Sequence, residues 1–383
     1  MVHNVRLLHC LSYSQFNIPT CALTEDPIRF AFQPWHSAME FRRHLRKYLE
    51  DIQSLNNVKS LHRTNYTLFD SIILPITEYL GHEGVDFRFS VEVTDLQMYP
   101  EGDPTTVSEI KFLDNGDECL VTLDPQDICL VTLGSTASGA VTGTNESAPL
   151  YLSSDWEDLM MSEWRLWQTL AQKSPKFGDP DKFLPRALQS SIETFTTTIQ
   201  GTEFIQKYKN LTHDQPGVSA LLSLTESNWS ITISVPHQPV FPNQANDVSV
   251  ICGYALNPSN DGDFVKKPMF ACSGKEVFTE VLSHLDFPVG PILASATTIP
   301  CGMPMGTAPF LTRSHQDRPQ VIPRETTNIA CVGQFVEVPE DTTLDIEYSA
   351  RTAQMAVFQL FGLPKTPARI KKNILLEVFD LIV

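Results

Sequence analysis

Apolar residues in the stretch 37–52 recur at three- and four-residue steps: Ala38, Phe41, Leu45, Tyr48, Leu49 and Ile52. That is the period of one helix face. Ser37 and Glu40 have capping-box spacing in front of it. The spacing predicts an amphipathic helix with Arg42, Arg43, Arg46 and Lys47 largely on its other faces. Those cations form either a solvated surface or a patch that draws an anionic headgroup or cofactor phosphate. Residues 1–29 show no sustained period. From 85 to 133, short apolar runs broken by Asp, Asn, Gly and Pro predict strands. The run 127–135 reads as a buried strand ending in a small-residue turn at Gly134 and Ser135. The Ser/Thr/Gly/Ala-rich stretch 135–153 reads as a loop. Ser154 and Glu157 cap a second predicted helix, with Trp156, Leu159, Met160, Trp164, Trp167 and Leu170 on one packing face. Proline-rich stretches at 235–242 and 300–323 predict ordered, irregular loops laid over a site.

Toward the C-terminus, 327–335 reads as a strand followed by Gly333, where the backbone must turn tightly or approach a ligand. The stretch 347–360 is helical in period, with small residues that let it lie close to a sheet. Strand, glycine turn and helix make an α/β layer. The last stretch carries Lys365, Arg369, Lys371 and Lys372 before an apolar amphipathic run. Such a segment lies in a membrane interface, or docks on its own core or a second subunit.

Composition narrows the chemistry. The formal net charge of −17 leaves no surplus of cations for nucleic acid phosphates. No apolar run reaches 18 residues. Eight cysteines without a CxxC pair exclude a zinc ribbon or thioredoxin-type site and fit a reducing, cytoplasmic setting. No two of the 18 glycines are separated by a single residue, so GxGxxG does not occur. A dinucleotide-binding βαβ unit normally opens on that turn, so the C-terminal strand–glycine–helix looks like the far end of such a domain. The run 134–139 is not a GxSxG elbow. His36 and Glu40 stand one helical turn apart but lack a third metal ligand at recognisable spacing. Asp261 and Asp263 read as a hairpin turn. No catalytic constellation emerges from spacing.

A set of short stretches, in order along roughly 30–360, carries a resemblance. They are Phe30–Ala38 with Glu40–Arg43, Ser71–Pro75, Thr132–Ser135, Phe177–Pro180 with Phe183, Ser227–Trp229 and Cys252–Tyr254. Lys267–Met269 with Cys272–Gly274, Ile299–Cys301 with Met303–Pro304, Asp317–Pro319, Gly333–Phe335 with Glu337, and Glu347–Ser349 with Arg351 follow. The ordered set resembles the oleate hydratase family, flavoproteins also called myosin-cross-reactive antigens.

The resemblance implies addition of water to the cis double bond of an unsaturated fatty acid, with FAD bound and no net redox change. An isolated alkene is weakly basic, so the reaction needs a proton donor and a base-held water. For the fold it implies α/β: an incomplete Rossmann-like FAD-binding domain lacking its first βαβ unit, a mixed α+β substrate domain and a helical C-terminal tail. The expected division is a non-family leader (1–29), the substrate-domain helix and strands (30–135), a helical and loop insertion (136–250), the C-terminal flavin part with channel loops (251–363) and the tail (364–383). Gly134, Ser135, Gly333, Gln334, Phe335, Glu337 and Ser349 are the implied cofactor-binding residues. Ser234, His237, Gln238, Met303 and Pro304 are the implied substrate-binding ones.

The sequence departs from the family at several points. The family's proton-donating tyrosine precedes the Phe30–Phe32 segment, and 21–29 contains no tyrosine, so no catalytic residue is assigned. Ser234, Pro236 and Val240 stand where many members place Thr, Asn and His; Met305 replaces a tyrosine and Asp345 a threonine. The expectation is a truncated, divergent member that does not turn over alone, or a non-catalytic lipid- or flavin-binding remnant. Expected partners are an unsaturated fatty acid, a homodimer copy and a membrane surface met by the tail, with no metal and no nucleic acid.

Overall fold

The computed structural model describes residues 5–8, 31–48, 64–149, 162–218, 222–343 and 346–370. In chain order the elements begin with β1 (Val5–Leu8), α1 (Ala38–Tyr48), α2 (Leu74–His82), β2 (Val91–Tyr99), β3 (Thr106–Asp114), β4 (Asp117–Thr122) and β5 (Ile128–Thr132). Next come β6 (Val141–Thr142), α3 (Ser162–Lys173), α4 (Ala187–Ser190), β7 (Ile192–Gln200), α5 (Glu203–Thr212), β8 (Leu222–Ser223) and β9 (Ile231–Ser234). The last described elements are β10 (Val248–Ala255), α6 (Gly274–His284), α7 (Val289–Leu293), β11 (Ala296–Met303), β12 (Ile329–Val332) and α8 (Ile346–Leu360).

Three sheets result among the described residues. β1, β5 and β12 form a parallel sheet with β5 at its centre. Its strands carry continuous apolar runs, Ile128–Val131 and Ile329–Cys331, as strands covered on both faces must. β2, β3 and β4 form an antiparallel meander. The third sheet is antiparallel, in the order β6-β11-β7-β10-β9-β8. One of its faces carries Phe195, Ile199, Ile251 and Ala255 and packs against Val277, Phe278, Val281 and Leu282 of α6. The other carries Ile192, Tyr254, Cys301 and Met303 and packs against Ala31, Phe32 and Phe310. α6 starts with a capping box of Ser273 and Glu276. It also lies very close to β11: a Cβ on Gly274 would stand 1.9 Å from the Thr298 carbonyl oxygen. The architecture is mixed α/β. No helix among the described residues is long and apolar enough to cross a membrane.

Several expectations change here. β1 lies in a stretch without period; its partner β5 supplies the order that its own sequence does not. A two-residue strand, β6, interrupts the expected loop at 135–153. The expected division at 250 falls inside β10, so the stretches on either side share one sheet. Residues 300–303 belong to strand β11 rather than a loop. Pro300 is tolerated because its N side faces β6, which pairs only with Cys301 and Gly302.

α1 corrects the amphipathic reading most directly. Ala38 is exposed, while Glu40, Arg43 and His44 are buried. The helix buries charge because partners from the far end of the chain meet it. In α3, Trp164, Trp167 and Leu170 are fully buried, as packing residues should be. Trp156, Leu159, Met160, Leu49, Ile52, Asp345 and the apolar part of the tail lie outside the described residues.

Candidate functional site

The two glycine turns predicted from sequence end neighbouring parallel strands, β5 and β12, and meet each other. Gly134 has φ +68° and Gly333 φ +99°, both in the left-handed region. A Cβ on Gly134 would stand 2.9 Å from Cδ2 and 3.1 Å from Cγ of Phe335, and 3.3 Å from Cζ2 of Trp164. Only glycine lets the β5 turn accept that ring. Phe335 is fully buried, with ring centroids 4.8 Å from Trp164, 5.5 Å from Phe183 and 5.7 Å from Trp167. The Trp164 indole N–H donates to the Ser135 carbonyl at 3.1 Å, and the Thr136 hydroxyl donates to Gln334 Oε1 at 3.4 Å.

α8 closes the arrangement. The Gly333 N–H donates to the Thr352 hydroxyl at 3.0 Å, which in turn donates to the Ser349 carbonyl at 2.8 Å. Gly134, Ser135, Gly333, Gln334 and Phe335 thus share one sheet edge, the carboxyl end, where open parallel sheets hold ligands. Ser135, Gly333, Gln334 and Ser349 are half-buried, whereas Gly134 and Phe335 belong to the core behind them.

Glu337 stands elsewhere, in a buried ion cluster. Arg43 reaches Glu337 at 2.9 Å and Glu40 at 3.2 Å. Arg313 reaches Glu337 at 2.7 Å and Glu40 at 2.8 Å. Arg318 lies 4.0 Å from Glu40, donates to the Pro309 carbonyl at 2.6 Å, and sits about equally over the Phe183 and Phe335 rings. Burial alone would push the Glu337 carboxyl up, but Arg313 and Arg43 outweigh it and hold the group below its usual range. Burial, reinforced by Arg313, draws the Arg318 guanidinium down. The cluster ties α1 and the 313–318 loop to the turn that carries Phe335.

The implied substrate residues divide between the two ends of the six-stranded sheet. Ser234 and Met303 are buried and project from the same face, with Cys252, Thr194, Tyr254 and Cys301 between them in register. The Pro304 carbonyl accepts from the Ser190 hydroxyl at 2.8 Å. Just beyond Ser234, at the end opposite Met303 and Pro304, His237 and Gln238 follow β9. Both ends of the Gln238 amide are in use: Nε2 donates to the carbonyls of Pro236 and Val250 at 3.0 and 2.8 Å, and Oε1 accepts from Gln244 Nε2 and the Val250 N–H at 2.7 and 3.0 Å. Gln238 is a brace for β10. His237 packs against Gly217, where a Cβ would come within 2.7 Å of its backbone.

Burial pushes the Cys129, Cys272 and Cys301 thiols up to about 12, so none is a thiolate at neutral pH. His36 is held neutral: burial lowers it to about 4. Its Nδ1 accepts the Gln33 N–H at 3.0 Å, so it caps a turn rather than joining Glu40 on a metal. A cleft lined by Trp35, Leu188, Ser191, Leu256 and Thr307 opens beside it. At about 190 Å³ it is smaller than the ~300 Å³ of an enclosed small-molecule site.

Sequence reasoning missed Glu193. It is fully buried on β7, neither carboxylate oxygen has a hydrogen-bond partner, and burial pushes it well above the usual range. The alternation of β7 marks position 193 as inward-facing, which was the available signal.

Fold and site together define a mixed α/β protein whose small parallel sheet ends in two interlocked glycine turns beside a large antiparallel sheet. The model of the MCRA family matches residues 27–358, and the chain belongs to that family. It is 32% identical over 347 residues to an oleate hydratase of Streptococcus pyogenes serotype M49 (strain NZ131), covering 87% of this chain and 58% of that one. It is 30% identical over 367 residues to a linoleate hydratase of Lactiplantibacillus plantarum, covering 88% of this chain and 63% of that one. The chain thus spans about three fifths of the length of these relatives.

Proposed function

We propose that the chain is a hydratase-like protein that binds an unsaturated fatty acid and FAD and does not turn over by itself. The observation that carries this reading is 32% and 30% identity to an oleate and a linoleate hydratase, over 87% and 88% of the chain. The glycine turns supply geometric support. A Cβ on Gly333 would touch only Thr132 Cγ2, at 3.0 Å, so a flat ring system can approach this backbone closely. In this reading Ser135, Gly333, Gln334 and Ser349 face the flavin. Phe335, Gly134 and Thr352 hold the two turns in place, and Glu337 positions them through Arg43 and Arg313. FAD, when bound, supplies an organising surface rather than electron transfer, because adding water changes no oxidation level.

The acyl chain lies along the sheet face between Ser234 and Met303 once Phe32 and Phe310, which pack with Tyr254 and Cys301 there, swing away. From the level of Val250, which Gln238 braces, to Met303 the register advances six residues, or about 20 Å, the reach of a long-chain acyl group. Ser234 is the polar group nearest the carboxylate end and Met303 and Pro304 line the other. Gln238 contributes through the loop it holds.

A second reading, a lipid- or flavin-binding protein without turnover, is favoured by the fully used Gln238 amide and by the lack of a tyrosine in 21–29. Both readings expect no product from the isolated chain. The test is oleate and FAD binding by equilibrium dialysis, with hydroxy fatty acid product followed by mass spectrometry under reducing conditions. Binding of oleate without product is the expected result. Product formed by this chain overturns the second reading and the lack of turnover in the first; failure to bind either ligand overturns the first.

A further inference from the structure

Away from the glycine turns, the hairpin loop before α6 and the last turn of α6 bring together three side chains of metal-ligand type. Glu280 and His284 lie one turn apart on the helix, and Asp263 approaches from the loop. His284 Nε2 lies 3.2 Å from Asp263 Oδ2 and 3.5 Å from Glu280 Oε1. One ligand atom from each residue falls within 4.8 Å of the others. Glu280 is fully buried, and its carboxylate accepts the backbone N–H groups of Asp263, Phe264 and Val265 at 2.5, 3.0 and 2.9 Å. Asp263 Oδ2 accepts the Asn228 N–H at 2.8 Å. The two carboxylates are therefore fixed in place by backbone.

His284 Nε2 is the atom out of balance. It is buried and makes no hydrogen bond, although two carboxylate oxygens stand within ion-pair distance. An imidazole lone pair aimed at two carboxylates is repelled, and an N–H there would turn to one of them. A cation between the three atoms removes both difficulties.

We propose that Asp263, Glu280 and His284 form a binding site for a first-row divalent metal ion, zinc by geometry. Zinc–nitrogen and zinc–oxygen bonds of about 2.0–2.2 Å in a tetrahedron separate ligand atoms by about 3.3–3.6 Å. The two nitrogen–oxygen separations of 3.2 and 3.5 Å match that spacing, and the two carboxylate oxygens lie within 4.8 Å of each other. Two carboxylates and a neutral imidazole also balance a dication. The imidazole disfavours magnesium and calcium, which take oxygen ligands. Asp263 is partly exposed, which leaves a path for the ion and a fourth position for water. The ion would pin the hairpin to α6, and with it Asn260, whose carbonyl accepts the buried Trp229 indole N–H at 2.8 Å. This site is independent of the hydratase reading.

The test uses the full chain, stripped with chelator and titrated with Co2+ and then Zn2+. One Co2+ should bind per chain with the visible bands of a tetrahedral site, Zn2+ should displace it, and saturating Zn2+ should raise Tm. His284→Ala and Asp263→Asn should each weaken binding by about 100-fold or more, since losing an outer-shell partner alone costs about 10–100-fold. Both variants should keep the metal-free circular dichroism of the parent. Glu280→Gln is avoided because that carboxylate also carries three backbone N–H groups. No binding below about 1 mM, or a loss of less than about tenfold in either variant, overturns the proposal.

Discussion

Gly134→Ala probes the contact on which the joined glycine turns depend. Two penalties add. At φ +68° an L-residue costs about 1–2 kcal/mol more than glycine. The new methyl would also stand 2.9 Å and 3.1 Å from Phe335 ring atoms. That ring cannot swing aside, because Trp164, Trp167 and Phe183 enclose it and no part of it reaches solvent. Overpacking of this kind costs about 1–3 kcal/mol. The expected loss is therefore about 2–5 kcal/mol, read from urea unfolding followed by tryptophan fluorescence, since Trp164 and Trp167 stack at the contact. Phe335→Leu in the same chain separates the two terms. It relieves the overlap but leaves the backbone penalty, so the double variant should be about 1–2 kcal/mol more stable than the two single losses added. A Gly134→Ala protein within about 0.5 kcal/mol of the parent, or strictly additive losses, would show that the turns do not lock as described.

Three further outcomes are expected. Glu337→Gln leaves three buried arginines facing one carboxylate and should cost about 3 kcal/mol or more by urea unfolding. Glu347→Gln, whose ion pair with Arg351 is half exposed, should cost less than about 1 kcal/mol. Glu193 binds its proton more tightly folded than unfolded, so its stabilisation is full below about pH 4.3 and falls as pH rises toward the raised folded value. His36 acts in the opposite sense: the unfolded chain takes up a proton near pH 6.5 and the folded one only near 4, so stability falls on acidification through that window. The two slopes oppose between about pH 4.3 and 6.5. Glu193→Gln should remove the fall in stability that sets in as pH rises above about 4.3 and leave the histidine-driven loss on the acid side; urea midpoints that vary with pH as in the parent would contradict the Glu193 assignment.

The legible parts of the chain were those whose partners matter least to their pattern. β5 and β12 carry unbroken apolar runs, and their glycines announce where each ends; a buried parallel strand looks the same whatever covers it. The tryptophan spacing of α3 likewise pointed to packing. α1 was misread because its buried face is charged. Periodicity counts apolar residues, and it could not register that Arg313 and Glu337 arrive to neutralise Arg43 and Glu40. β1 was invisible because four residues carry no period and its order comes from β5. Residues 300–303 of β11 read as loop because the stretch 300–323 is rich in proline, whereas for Pro300 only the missing N–H matters, and it points to the short-paired side. Glu193 and the Asp263–Glu280–His284 trio escaped for a common reason. Their significance lies in missing or unusual partners across strands and loops, which spacing along the chain does not encode.

The parallel sheet also sets a timetable for synthesis. β5 pairs with β12, which lies about 200 residues further along the chain, so closing that contact means closing a long loop. At about 5–20 residues per second, β5 waits roughly 10–40 s on the ribosome before β12 exists. During that time the meander and much of the antiparallel sheet can form, while one apolar edge of β5 stands unpaired and open to other chains. Mistranslation or stalling between the two strands therefore endangers the nascent chain more than the same event after residue 332.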